Sequence, residues 1–185
     1  YKEIEYDISL IDAEYLSRKY NKINTKYMLY FIGNSIIVYD YIKNSILDTI
    51  KLKNIIYRFD FHPNNENIFF VCTEQNVKIY KIDAIKINEI STIEGHSLDA
   101  IYGCFNPFKP NIFLTASNNG FIKIYDITSH SAISLINVNE SLEYVVEINW
   151  GEKDIGFINK EHILYFEYDN FKKENIKKYS SKKIL

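Results

Sequence analysis

A histidine, an aspartate and a serine near the middle of the chain are the residue types best suited to chemistry. His96 precedes Asp99 by three positions, and Ser117 lies in the next apolar segment. Such a set could cleave an acyl bond if the three side chains converged beside an oxyanion hole. No sequence feature supplies that hole, so we interpret His96 as a structural residue.

Residues that bind metals or phosphates occur without the spacing those sites require. Cys72 and Cys104 belong to no CxxC or HxxxH pattern, and the six glycines form no phosphate-binding loop. The other histidines fall in different parts of the chain, at His62, His130 and His162. We therefore predict no catalytic residue, no metal ion and no cofactor. The two cysteines are expected to be buried thiols in a reducing compartment.

Composition narrows the classes of partner. The 185 residues carry a formal net charge of −2, which does not indicate binding to nucleic acid or to an anionic membrane. No apolar run approaches the ~18 residues of a membrane span. We expect a cytoplasmic or nuclear protein that binds other proteins and has no small-molecule substrate. The lysine pairs near the C-terminus predict a basic tail or linker over 176–185.

A short segment that ends in an aromatic residue recurs four times, as SIIVYD, NVKIYK, FIKIYD and HILYFE. The aromatic residues are 41, 45 and 41 positions apart, at Tyr39, Tyr80, Tyr125 and Phe166. A near-constant period of this size is typical of repeat proteins, in which each unit buries its apolar faces against its neighbours.

Each unit reads as four short strands joined by polar turns. The two central units share a Phe-x-Pro turn, which begins at Phe61 in one and at Phe105 in the other. In the third unit we predict strands over 100–106, 111–117, 121–127 and 132–138. Because these strands are apolar on both faces, they favour sheets stacked between other sheets. The pattern predicts an all-β fold, a β-propeller, with a β-sandwich as the alternative.

The third unit resembles a WD repeat, through Gly95-His96 and the stretch TASNNGFIKIYD, in which Tyr125-Asp126 replaces Trp-Asp. The resemblance implies a propeller of about four four-stranded blades within 1–175, at about 8–53, 54–97, 98–140 and 141–175. It also implies a hydrogen-bonded tetrad of His96, Thr115 or Ser117, Asn119 and Tyr125. Asn119 and Tyr125 depart from the Asp and Trp of the family, and the other units lack Gly-His.

WD-type propellers often have more than four blades, so we expect these units to be part of a larger or partner-completed propeller. A closed four-bladed ring is the alternative. The terminal blades would make apolar contacts to further chain or another subunit through Ile36, Ile37, Val38, Ile163 and Leu164.

The resemblance implies a non-enzymatic scaffold or subunit of a multiprotein complex that docks partners through inter-strand loops. The candidate partner-face residues are Glu74, Gln75, Leu98, Asp99, Asn118, Asn119, Glu143 and Tyr144. The alternative is a hydrolase built on a propeller, for which the predicted first strands offer Arg58, Asp60 and Glu147.

Overall fold

The computed structural model describes residues 18–20, 26–32, 34–96, 100–117, 120–137, 147–158, 162–167 and 177–183, and every element in them is a β-strand. Within these ranges no helix is long and apolar enough to cross a bilayer. The strands of the first two sheets are β1 (Arg18–Tyr20), β2 (Tyr27–Ile32), β3 (Ser35–Asp40), β4 (Ser45–Lys51), β5 (Ile56–Phe61), β6 (Ile68–Thr73), β7 (Asn76–Ile82) and β8 (Ile87–Glu94). Those of the third and fourth sheets are β9 (Ala100–Phe105), β10 (Ile112–Ser117), β11 (Phe121–Asp126), β12 (Ala132–Asn137), β13 (Glu147–Trp150), β14 (Asp154–Ile158), β15 (His162–Glu167) and β16 (Lys177–Lys183).

Each run of four consecutive strands forms one antiparallel sheet, in which the spatial order follows the chain. The prediction of an all-β chain is confirmed, and the four strands of the third unit begin and end within one residue of the predicted ranges. Four meanders in succession are consistent with the blades of a WD-type propeller.

The C-terminal lysines belong to a strand and not to the basic tail or linker predicted for 176–185. β16 pairs with β15 along its length, from Glu167 opposite Lys177 to His162 opposite Lys183. Pairing depends on backbone hydrogen bonds, so a polar sequence can form the last strand of a sheet. Lysines are common in such edge strands because they discourage pairing with another chain.

The Phe-x-Pro motif forms the turn between the first and second strands of the central sheets. Its middle residue accepts a backbone hydrogen bond from the residue two positions further on. The Nδ1 atom of His62 accepts from the N–H of Asn64 at 3.2 Å, and Oδ1 of Asn106 accepts from the N–H of Phe108 at 2.8 Å. Two different side chains thus stabilise the same turn.

The sheets pack face to face in chain order, with an apolar core in each of the three spaces between them. In β10, Phe113 faces the second sheet, whereas Leu114 and Ala116 face the fourth. This alternation is the two-residue period of a strand that is buried on both faces. The core between the first and second sheets contains Leu29, Phe31, Ile36, Val38, Phe59, Phe61, Phe69, Val71 and Tyr80.

The same two-residue period corrects the predicted contact surface of the first sheet. Ile36 and Val38 point to the second sheet and are 0% exposed, so they are not available to an outside partner. Ile37 and Tyr39 lie on the opposite face of β3 and are half-buried. The side chains of Ile163 and Leu164 lie outside the described residues.

A β-bulge precedes the repeated aromatic residue in every sheet. The pairing between third and fourth strands shifts register immediately before Tyr39, Tyr80, Tyr125 and Phe166. In each case one residue of the fourth strand is left without a partner in the ladder: Leu47, Ile90, Ile133 and Tyr179. The four aromatic residues therefore occupy equivalent third-strand positions, as their spacing predicts.

Candidate functional site

The Gly-His pair lies in the connection from the second sheet to the third. The N–H of Gly95 donates to the backbone oxygen of Gln75 at 2.8 Å. A Cβ atom at position 95 would lie 2.8 Å from that same oxygen, so a side chain there would force the two backbones apart. Glycine thus allows the close approach that places His96 between the sheets, where it is 4% exposed.

Three of the predicted tetrad residues come together around Thr115. Nε2 of His96 lies 2.7 Å from the Thr115 hydroxyl, and both side chains are buried. A hydrogen bond also joins Thr115 to the side chain of Tyr125, whose hydroxyl donates to the backbone oxygen of Glu94 at 3.4 Å. Ser117, the other predicted hydroxyl, is buried in the same strand. Asn119 lies outside the described residues.

Burial first, and then the nearby positive charge of Lys123, lower the pKa of His96 to about 4, although a hydrogen bond to the backbone of Thr115 acts to raise it. The imidazole is therefore neutral at pH 7. A neutral, buried ring held by a threonine supports the structural interpretation of His96.

The second sheet has no equivalent network, although its aromatic residue is in the same place. Val71 stands two positions after Phe69, where the third sheet has Thr115 two positions after Phe113. The Tyr80 hydroxyl instead donates to Glu89 at 3.4 Å. In the third sheet the Thr115 hydroxyl has His96 as its partner, and the second sheet, which has no histidine there, has the apolar Val71 in place of the threonine. A buried hydroxyl requires such a partner.

The repeated aromatic residues differ in burial according to the sheet that covers them. Tyr80 and Tyr125 are 1% and 0% exposed, and each stacks on a phenylalanine of the second strand. Both rings are thus buried between neighbouring sheets. Tyr39 is half-buried, because it faces away from the second sheet, and its hydroxyl bonds to Asn44. The side chain of Phe166 lies outside the described residues.

An open cleft of about 510 Å³ lies beside the Gly-His pair, between the second and third sheets. The ammonium group of Lys123 donates to the backbone oxygen of Gly95 at 2.6 Å across it. Its walls mix apolar and polar groups: Gln75, Asn76, Glu94, Gly95, His96, Phe121, Lys123 and Leu135. Such a mixture can hold a protein segment through apolar contacts and a few oriented hydrogen bonds.

The cleft contains one of the predicted partner-face residues. Gln75 is exposed and lines it, whereas Glu74 is half-buried and accepts a hydrogen bond from Asn54 at 3.0 Å. The remaining predicted residues lie outside the described residues: Leu98, Asp99, Asn118, Asn119, Glu143 and Tyr144.

Sequence reasoning missed Lys123 and Leu135. A signal existed for Lys123, which stands two positions before Tyr125 in a strand and therefore faces the same neighbouring sheet. Leu135 has no such signal, because the fourth strands of the units share no motif.

The charged residues considered for a hydrolase have other roles in the structure. The two carboxylate oxygens of Asp60 accept the N–H groups of Phe61 and Phe105, each at 3.0 Å, and thereby join the first strands of neighbouring sheets. Arg58 is exposed and donates to the backbone oxygen of Tyr57 at 3.0 Å. The side chain of Glu147 lies outside the described residues.

Cys72 and Cys104 form no disulfide. Cys72 is fully buried, and burial raises the pKa of its thiol, while Cys104 is half-buried. In the described ranges of the chain, no group of three or more histidine, cysteine or acidic side chains is arranged to hold a metal ion.

No protein-family model matches the chain. It is similar in part to dynein axonemal intermediate chain 1 of Mus musculus, with 28% identity over 82 residues, which is 44% of this chain and 12% of that protein. The same protein of Bos taurus gives the same values. Dynein intermediate chain 2, ciliary, of Heliocidaris crassispina is 35% identical over 71 residues, which is 38% of this chain and 10% of the relative. Each match thus covers less than half of the chain and about a tenth of the relative.

Proposed function

We propose that this chain is a non-enzymatic subunit of a multiprotein complex, in which WD-type blades present docking surfaces for other proteins. The observation that carries the proposal is the arrangement around His96. The His96–Thr115–Tyr125 network is buried and holds two sheets together, while Gln75 and Leu135 remain exposed at the cleft beside it. A rigid interior with exposed side chains above it is suited to docking.

The relatives support this class of function. They are named as intermediate chains of dynein, and a subunit of an assembled complex needs binding surfaces more than catalytic groups. The chain would act in the cytoplasm, with the nucleus as the alternative. The four sheets would be blades of a larger or partner-completed propeller.

The hydrolase alternative has less support. It requires free carboxylates that converge at the first strands. Both oxygens of Asp60 accept backbone hydrogen bonds, which is the arrangement of a residue that stabilises the fold.

Isolation of the tagged full-length protein from its cells tests the proposal. Mass spectrometry of the purified material should find other proteins in stoichiometric amounts, and sedimentation should give a complex larger than the chain alone. Leu135→Asp should remove at least one of those proteins. Ile133→Asp is the matched control, because Ile133 is 40% exposed and Leu135 39% exposed in the same strand, but only Leu135 lines the cleft.

A protein that purifies alone at its own mass would contradict the proposal. Equal loss of partners in both variants would show that the cleft is not the docking site.

A further inference from the structure

The end of the sheets opposite the cleft carries its own surface. In an antiparallel meander, the turn between strands one and two lies at the same end as the turn between strands three and four. Three turns at this end place an exposed apolar residue directly before a lysine. The six residues, here called the lysine–apolar face, are Ile42, Lys43, Ile85, Lys86, Phe108 and Lys109.

The apolar members are the most exposed large hydrophobic residues of the described part of the chain. Ile42 is 77% exposed, Ile85 79% and Phe108 56%, whereas the next is Ile90 at 49%. The lysines beside them are exposed as well. Exposed apolar side chains that recur at one end of a fold commonly mark an interaction site.

Each turn that carries this face is hydrogen-bonded to a turn of the neighbouring sheet. The ammonium group of Lys43 donates to the backbone oxygen of Ala84 at 3.1 Å, which brings the Ile42 and Ile85 turns together. A contact of 3.4 Å between Nε2 of His62 and Oδ1 of Asn111 joins the Phe108 turn to the turn between β5 and β6 of the second sheet.

The turns are also fixed internally. Oδ1 of Asp40 accepts the N–H groups of Ile42 and Lys43 at 2.9 and 3.0 Å. Oδ1 of Asn106 accepts those of Phe108 and Lys109 at 2.8 and 2.9 Å. Because the backbone is already ordered, binding would cost little conformational entropy there.

Several acidic residues at this end contribute to the turns themselves. Asp40 is 1% exposed, Asp83 bonds to the side chain of Asn88, and Asp126 accepts hydrogen bonds from Thr128. Nζ of Lys43 lies 3.9 Å from Oδ2 of Asp40. The exposed side chains of Lys86 and Lys109 place further positive charge next to the apolar groups.

We propose that the lysine–apolar face docks an acidic segment of another protein that also carries apolar side chains. The apolar residues of that segment would cover Ile42, Ile85 and Phe108, and its carboxylates would lie near the lysines. The inference rests on the proposed function in one respect, that the chain binds proteins. It assigns a second surface, distinct from the cleft.

Fluorescence anisotropy with the full-length protein tests the assignment. The probe is a labelled peptide in which glutamate and leucine alternate around one phenylalanine, and its counterpart has lysine in place of glutamate. The acidic peptide should bind and the basic peptide should not. Ile85→Asp and Lys86→Glu should each weaken binding about tenfold, as expected for the loss of an anchor or a charge contact.

The matched controls are Ile55→Asp and Lys53→Glu, since both residues are exposed in the connection at the opposite end of the sheets. They should change the affinity by less than about twofold. Thermal melts establish that each variant is folded, and Ile85→Ser replaces Ile85→Asp if the latter is not.

The proposal would be overturned if the acidic peptide did not bind or if the basic peptide bound equally well. It would also be overturned if Ile55→Asp lowered the affinity as much as Ile85→Asp. Binding to phosphatidylserine vesicles in place of the acidic peptide would assign the face to a membrane and overturn it as well. If the acidic peptide does not bind but Leu135→Asp still loses partners in the purification, the lysine–apolar face is not a docking site and the proposed function stands.

Discussion

At the scale of single residues, Tyr125 combines an aromatic contact, hydrogen bonds of its hydroxyl and complete burial. Its ring stacks on Phe113 with centroids 4.9 Å apart, its hydroxyl reaches Thr115 and the backbone of Glu94, and the whole side chain is 0% exposed. A WD repeat has tryptophan here. Tyrosine keeps both an aromatic surface and a polar group at its end.

Tyr125→Ala should therefore lower the free energy of unfolding by about 3–5 kcal/mol, the range for a fully buried large aromatic side chain. Urea denaturation of the full-length protein measures the loss. Tyr39→Ala is the control, because the equivalent tyrosine of the first sheet is only half-buried and should cost less. A loss under about 1 kcal/mol at Tyr125 would contradict its burial between sheets.

His96 should make stability depend on pH. Its pKa of about 4 in the fold lies below the ordinary 6.5, so the unfolded chain binds the proton more tightly. The free energy of unfolding should fall as pH drops from 6.5 to about 4 and be unaffected by this group at higher pH. The limiting contribution is on the order of 3 kcal/mol.

Urea titrations of the wild type and His96→Gln between those pH values measure this dependence, and the variant should show the shallower slope. Burial also lowers the pKa of His62, so His62→Gln is the necessary comparison. That variant should retain the part of the pH dependence of stability that comes from His96. Parallel profiles for wild type and His96→Gln would show that His96 titrates normally in the fold.

At the scale of elements, Asp60 shows how one sheet is fixed to the next. Its carboxylate joins β5 of the second sheet to β9 of the third through the N–H of Phe105. A comparable contact joins the fourth strands of the first and second sheets. Oδ2 of Asp48 in β4 accepts the N–H of Ile87 in β8 at 2.8 Å. The sheets are thus linked by directional hydrogen bonds as well as by apolar cores.

Asp60→Ala should destabilise the protein by about 1–3 kcal/mol, because it leaves a half-buried N–H without its acceptor. Asp60→Asn retains one carbonyl oxygen in nearly the same shape and should cost less. Chemical denaturation of the two variants compares them. An equal cost for both would mean that the contact to Phe105 contributes nothing specific.

At the scale of the whole molecule, the first sheet has one face toward the second sheet and another away from it. The outward face of β3 carries Ile37 and Tyr39, which are half-buried. In stacked-sheet architectures each sheet is stabilised by its neighbours, and a terminal sheet requires a cover of some kind.

A polypeptide of residues 1–185 alone should therefore self-associate or aggregate. Analytical ultracentrifugation over a range of concentrations measures this, with Ile37→Asp as a variant that should reduce association. A compact monomer that unfolds cooperatively would contradict the expectation and would favour a closed four-bladed ring.

The repeated segment was enough to predict the strands of the third unit and the equivalence of the four aromatic positions. These features are local, since alternating apolar residues and polar turns define a strand without reference to its neighbours. Lys177–Lys183 shows where local reasoning fails. A lysine-rich segment resembles a solvated tail until a neighbouring strand provides the backbone groups that pair with it.

The sequence by itself therefore determined the all-β class and the repeat, and its WD resemblance pointed to Thr115 and Tyr125 beside His96, because composition, period and motif are properties of the chain. Only the tertiary structure decided that Ile36 and Val38 face inward, that Asp60 bridges two sheets, and that Ile42, Ile85 and Phe108 share one end. Those facts depend on which faces and turns become neighbours when the sheets stack, and neighbours far apart in sequence leave no local pattern.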